Sequence, residues 1–186
     1  MGELQSWMFP TNLATSGPPE VGHKAPETQK LHIGNDGEPT IVTFLRHCGC
    51  PFAEKAFLNL RDLASKHSNI RCIAVSHSDK PSTDKWLEEL GGADKVEIVI
   101  DESRQTHADW GLGVSSFWHV LNPFSLYSVY TLGKKENIWN RPTESGSRWQ
   151  TAGSFAADKE GIVKWSKPNA SADDVPNFEE ALKALS

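Results

Sequence analysis

The sequence predicts an α/β fold with a central sheet flanked by helices. Three observations predict it. From residue 40 to residue 110, short β-branched runs alternate with amphipathic stretches in the order β-α-β-α-β-α, which calls for parallel strands joined by right-handed crossovers. A hairpin signal and a last amphipathic helix follow between residues 151 and 185. The 186 residues, 38% hydrophobic and 23% charged, are enough to bury one core.

Residues 1–30 are rich in Pro, Gly, Ser and Thr and lack a period, so they read as an arm lying on the domain or partly disordered. Trp7, Met8 and Phe9 are the side chains that could pin it down. Asn35-Asp36-Gly37-Glu38-Pro39 is turn chemistry. Thr40 to Leu45 is short, apolar and β-branched, the pattern of a buried central strand. From Phe52 to His67, apolar residues at Phe52, Ala53, Ala56, Phe57, Leu60, Leu63 and Ala64 have helical spacing. Ile70 to Val75 is a second strand. A helix over Ser82 to Leu90 stops at Gly91-Gly92. Val96 to Ile100 is a third strand, and a short helical stretch reaches Trp110.

Residues 111–148 break the rhythm. They are rich in Gly, Ser and Asn and carry Phe117, Trp118, Phe124, Tyr127, Tyr130 and Trp139. A connection this long is a candidate lid or partner surface. Thr151 to Ala156 and Gly161 to Trp165 pair as a hairpin around Asp158-Lys159-Glu160-Gly161. Asn177 to Leu185 gives the final helix. The organisation is an arm at 1–30 and one domain at 31–186, with the aromatic-rich insertion at about 111–148.

Composition excludes several classes. Net charge is −5 and the basic residues are scattered, so no nucleic-acid surface is expected. No apolar run approaches the roughly 20 residues that span a bilayer. The N-terminus has no basic segment followed by an apolar one, so no secretory signal is expected. The cysteines are three, Cys48, Cys50 and Cys72, an odd number that argues against a secreted disulfide framework. The expected location is the cytoplasm, with the cysteines as thiols. No compact Cys/His set has the spacing of a zinc site, and neither metal nor cofactor is expected.

The chemical centre is Cys48-Gly49-Cys50-Pro51-Phe52-Ala53. Cys50 follows a strand and precedes a helix, with Pro51 at the first helical position, where its missing N–H costs nothing. Free backbone N–H groups and the positive end of the helix dipole stabilise a thiolate there, and the thiolate is the nucleophile. Sites in open α/β sheets also cluster outside the carboxyl ends of the strands. Arg46 and His47 add donors and positive charge. Cys48 makes the pair Cys-x-Cys; a bond to Cys50 would be strained, and a supporting role outweighs a resolving one. Cys72 lies in a strand and reads as core.

The run from Phe44 through Arg46-His47-Cys48-Gly49-Cys50-Pro51 to Glu54 resembles the peroxiredoxin-like, or AhpC/TSA-type, branch of the thioredoxin superfamily. Ser115 to Pro123, Arg148 to Gly153, Phe155 and Asp158 to Gly161 extend the resemblance, which covers roughly residues 35–185. It implies a thioredoxin-like three-layer sandwich, a central mixed sheet flanked by helices. It also implies thiol-dependent redox activity with Cys50 as the attacking cysteine. Two positions differ. Ala53 stands where Cys-x-x-C motifs carry their second cysteine, and His47 stands where typical peroxiredoxins place Thr or Ser. Thr151-Ala152-Gly153 occupies the region of the thioredoxin cis-proline without a proline. Trp149, Gln150 and Gly153 are therefore the candidates for the facing wall, joined by Pro51, Phe52 and Trp118 as substrate contacts.

The leading reading is a one-cysteine peroxiredoxin-like oxidoreductase. Cys50 attacks a peroxide and becomes a sulfenic acid. An external thiol such as glutathione, or Cys48, restores it, and Arg46 or His47 stabilises the developing charge. A second reading is a biosynthetic enzyme or binding protein without peroxidase activity, whose aromatic insertion lines a pocket for an organic metabolite. A third is a binding or homodimerisation module whose aromatics meet a partner.

Overall fold

The computed structural model describes residues 3–116 and 123–186. The elements are α1 (Glu3–Ser6), β1 (Thr40–Phe44), α2 (Pro51–Lys66), β2 (Arg71–Ser76), α3 (Lys80–Glu89), β3 (Val96–Ile100), α4 (Gln105–Asp109), α5 (Pro123–Glu136), β4 (Gly153–Ala157), β5 (Val163–Pro168) and α6 (Phe178–Leu185). The strands form one mixed sheet in the order β3-β2-β1-β4-β5. β1 and β2 are parallel, as are β2 and β3; β4 runs antiparallel to both β1 and β5. Every residue of β1 is buried, as suits a β-branched central strand, and the Thr43 hydroxyl accepts from Ser154 Oγ at 3.2 Å.

Alternate side chains of the strands feed two cores. Ile41, Cys72 and Ala74 meet Phe57 and Leu60 of α2, Trp86 of α3 and Phe178 of α6 on one face. Val42, Phe44, Ile73, Val75 and Phe155 meet Trp110, Leu112 and Leu31 on the other. The N-terminal stretch lies along the domain: Gly22 donates to the Val163 carbonyl at 2.8 Å and Ala25 to the Gly161 carbonyl at 2.9 Å. No described helix is long and apolar enough to cross a membrane.

Two elements differ from expectation. Helix α3 begins at Lys80, before Ser82, because Asp79 caps it and its Oδ1 accepts from the Ser82 N–H at 2.8 Å. The insertion holds a 14-residue helix, α5, where the sequence suggests an irregular connection. Its large aromatics, Phe124, Tyr127 and Tyr130, face solvent, while the smaller Val129 and Leu132 face the core. That inverted pattern conceals the helical period. Ser125 and Ser128 of α5 donate to the Asp173 carboxylate at 2.7 and 2.8 Å and anchor it.

A buried polar cluster sits at the carboxyl ends of β2 and β3. Asp101 accepts from the His107 backbone N–H at 3.0 Å and lies 2.8 Å from His107 Nδ1. Burial pushes the Asp101 carboxyl up, but the bonds from His107 and Thr106 outweigh it and hold the group below its usual value. His77 Nε2 lies 3.0 Å from the Ser147 backbone nitrogen and 3.1 Å from the Ser147 carbonyl oxygen, so the returning chain engages it whichever ring nitrogen carries the proton. Burial, with His107 and Arg104 nearby, brings the His77 pKa down to about 3.

The unfolded chain therefore takes up a proton at His77 below about pH 6.5 that the folded chain refuses until about pH 3. Stability is full above the unfolded pKa and falls as pH drops. The expected slope from this residue is about 1.4 kcal/mol per pH unit. Denaturant unfolding between pH 7 and pH 4 checks it: the slope flattens in His77→Gln, and parallel profiles for the two proteins would contradict the assignment.

Candidate active site around Cys50

Cys50 is the N-cap of α2, with φ −83° and ψ 125°, and its side chain caps no backbone group. Pro51 occupies the first turn and Glu54 closes it, donating its N–H to the Cys50 carbonyl at 3.1 Å. The Cys50 sulfur thus stands at the positive end of a 16-residue helix. It is buried, at 3% exposure.

Arg46 is buried beside it. Nη1 donates to Cys50 Sγ at 3.3 Å, and Nη2 donates to the Arg148 carbonyl. One planar fork holds both the sulfur and the returning chain. Arg46 Nε is buried without a partner. A hollow of about 10 Å³ lies between Arg46, Phe52, Ala53, Ala152 and Ser154, room for about one water.

His47 does not add the positive charge its residue type suggests. It is buried, and Nδ1 accepts from the Gly49 N–H at 3.2 Å and lies 3.0 Å from the Thr143 hydroxyl. Burial, then Arg46, Arg148 and His77, push its pKa well below the ordinary value. The ring is neutral and keeps its proton on Nε2, which makes it a donor and not a cation. Cationic charge at the sulfur comes from Arg46.

The return segment closes over this turn. A Cβ at Gly49 would fall 2.5 Å from Thr143 Oγ1 and 2.6 Å from the Arg141 carbonyl, so only glycine admits that approach. Arg141 donates its N–H to the Gly49 carbonyl at 3.1 Å and pairs with the buried Glu54 at 2.8 Å. Arg148 donates from Nε to Ser6 Oγ at 3.0 Å, pairs with Glu3 and lies 4.7 Å over Trp7. Glu3 also accepts from the Thr143 N–H at 2.7 Å. Sequence reasoning assigned no role to Thr143, Arg148, His77 or Glu3. The bonds that bring them here span up to 145 residues and leave no local signal.

The remaining candidates divide. Cys48 is half-buried; its sulfur lies 3.7 Å from Ser76 Oγ and 3.8 Å from Thr83 Oγ1. Burial pushes its thiol up, only partly offset by the hydroxyls of Ser78, Ser76 and Thr83. Cys72 is buried in β2 and pushed up to about 12. All three cysteines are free. Pro51 and Phe52 are buried in the first turn of α2. Trp149 and Gln150 are both engaged by other parts of the chain. Trp149 is covered by the arm: Phe9 stacks on it at 4.3 Å and its Nε1 donates to the Trp7 carbonyl at 2.9 Å. The Gln150 amide is engaged, with Nε2 donating to the Leu112 and Gly113 carbonyls at 3.0 and 3.1 Å and Oε1 accepting from Arg104. Gly153 pairs with Phe44 at the start of β4, and a Cβ there would fall 3.1 Å from Leu112. It therefore joins the sheet to the loop. No cis peptide occurs among the described residues. Trp118 lies outside the described residues.

The family of AhpC/TSA antioxidant enzymes matches residues 59–171, more than half of the chain, starting after Cys50. No curated protein matches the sequence. The chain is similar in structure to the thiol peroxidase from Chromobacterium violaceum, at 15% identity, 91% of this chain, 88% of that chain and a TM-score of 0.59. A peroxiredoxin-like protein from Aquifex aeolicus gives 16% identity, the same coverages and 0.61. The yeast mitochondrial 1-Cys peroxiredoxin gives 13%, 88% of this chain, 73% of that chain and 0.55. At these identities the likeness is one of fold, and it agrees with the five-stranded mixed sheet flanked by helices. With the family match added, the chain belongs to the AhpC/TSA antioxidant enzyme family and carries its peroxiredoxin-like thioredoxin fold.

Proposed function

We propose that this chain is a one-cysteine thiol peroxidase acting through Cys50. The observation that carries the reading is the Arg46 guanidinium, 3.3 Å from Cys50 Sγ at the N-terminus of α2. Both features favour negative charge on the sulfur. The thiolate attacks one peroxide oxygen: the S–O bond forms, the O–O bond breaks, and the departing oxygen leaves as water or an alcohol once protonated. Arg46 stabilises the charge that develops on that oxygen. The neutral His47 is the candidate hydrogen-bond donor to the peroxide at the position where typical relatives have a hydroxyl.

The reductant is an external thiol. Ala53 offers no sulfur in the same turn, and Cys48 is engaged with Ser76 and Thr83. One thiol condenses with the sulfenic acid, releasing water and leaving a mixed disulfide; a second thiol displaces Cys50. Glutathione is the candidate, and a neighbouring fold supports the idea: the yeast enzyme is described as resolved through glutathione and thioredoxin systems. Three unpaired cysteines suit a reducing compartment, the cytoplasm. The hollow beside Arg46 suits a peroxide oxygen and is too small for an organic metabolite. A larger cleft of about 420 Å³ lies between Phe9, Arg104 and Gly146; Cys50 lines neither it nor the hollow, and Arg46, which touches the sulfur, lines the hollow alone.

Hydrogen peroxide consumption with glutathione tests the reading. Wild type turns peroxide over and Cys50→Ser does not. Equal rates for the two, or no consumption by wild type with glutathione or thioredoxin, would overturn it.

Arg46→Met lowers kcat/KM about 100-fold, the scale of losing a charge-stabilising donor. Arg46→Lys, which keeps the charge and loses the fork, falls between. Rates for all three within a factor of about two would show that the guanidinium has no part in the reaction.

A further inference from the structure

The N-terminal arm crosses the loops that follow β2 and β3 without filling the space beneath it. One anchor is the return segment: Trp149 Nε1 donates to the Trp7 carbonyl at 2.9 Å, and Phe9 stacks on the same residue at 4.3 Å. The other anchor lies beside α4. Arg104 donates to the Thr11 carbonyl at 2.6 Å and Ser16 donates its N–H to the Ala108 carbonyl at 3.0 Å. A Cβ at Gly111 would fall 2.5 Å from the Pro18 nitrogen. Between the anchors lies the cleft of about 420 Å³, within the size range of small-molecule sites. It stands at the carboxyl ends of the strands, the edge where open α/β sheets bind ligands. Met8 and Phe9 line its arm side and are 67% and 62% exposed.

Most charges on the cleft wall are accounted for. Asp79 caps α3, and Glu144 pairs with Lys85. Burial keeps His77 neutral. Arg104 and Glu102 remain, one of each sign, on the loop between β3 and α4. Neither has an ion partner among the described residues. Arg104 donates only to neutral oxygens, the Thr11 carbonyl and, at 3.5 Å, Gln150 Oε1. The Asp101 carboxylate draws on it from a distance but is bonded to His107. The Arg104 backbone is left-handed, at φ 61°, a strained conformation of the kind that gathers at ligand sites.

These features select a ligand that carries both charges. A carboxylate fits the guanidinium fork, an ammonium fits Glu102, and an apolar substituent fits Met8 and Phe9. A simple anion would meet Glu102, and a simple amine would meet Arg104. We propose that the cleft beneath the arm binds a small zwitterion, a free amino acid or a short peptide with an apolar side chain, its carboxylate on Arg104 and its ammonium on Glu102.

Isothermal titration calorimetry of the full chain tests it, with phenylalanine and glycylphenylalanine as probes. At least one binds with a Kd of about 1 mM or tighter, and the tighter of the two tells free amino acid from peptide. N-acetylphenylalanine, which lacks the ammonium, and phenylalanine amide, which lacks the carboxylate, bind about 10-fold more weakly than phenylalanine. Glu102→Gln removes the advantage of phenylalanine over the acetylated probe, and Arg104→Gln removes its advantage over the amide. Arg104 also holds Thr11, whereas the Glu102 side chain makes no bond that a folded arm needs, so Glu102→Gln is the cleaner variant. No binding of either zwitterion at about 10 mM overturns the proposal, as do blocked probes that bind equally well or zwitterion binding indifferent to both substitutions. The titration uses neither thiol nor peroxide, so its outcome is separate from that of the Cys50 chemistry.

Discussion

The Arg46 guanidinium holds the site together. One arm of its fork reaches Cys50 Sγ at 3.3 Å and the other takes the Arg148 carbonyl. The first contact sets charge beside the Cys50 sulfur, the proposed nucleophile. The second fixes where the returning chain crosses, and that chain in turn is clamped by Glu3, Ser6 and His77. The charge is therefore already in place before any substrate arrives, which is what electrostatic stabilisation of a developing anion requires. A lysine could supply the charge but not the two-point geometry.

Closure follows from the same contact. Gly49 lets the Arg141 to Thr143 segment lie directly on the cysteine turn, and Glu54 pins Arg141 from the first turn of α2. The result is a buried thiol, and a hollow about the size of one water adjoins the Arg46 that touches it. Burial also sets the role of His47. In water an imidazole could share the cationic work of Arg46, but here desolvation and neighbouring cations keep it neutral. The neutral ring retains a donor, which is the property a hydroxyl would bring to the same place.

Local chemistry was legible in the sequence and distant closure was not. The strand, the cysteine turn, Pro51 and the amphipathic α2 lie within 30 residues, and their pattern places Cys50 at a helix N-cap, where the structure puts it. The mixed sheet and its hairpin were legible for the same reason. Thr143 and Arg148 arrive from the far end of a long insertion, and no spacing announces them. Helix α5 escaped notice because its largest apolar residues face solvent, so the period that marks a buried stripe was reversed. Gln150 stands out in the sequence by its place near Gly153, but the backbone carbonyls that engage its amide belong to a loop whose approach only the folded chain shows.

Electrophilic trapping of sulfenic acid tests the central claim most directly. The chain is mixed with one equivalent of hydrogen peroxide in the presence of dimedone and mapped by mass spectrometry. The account predicts the adduct at Cys50, with Cys48 and Cys72 unmodified and no Cys48–Cys50 disulfide. An adduct first at Cys48, or peroxide exposure that leaves Cys50 a thiol, would contradict it.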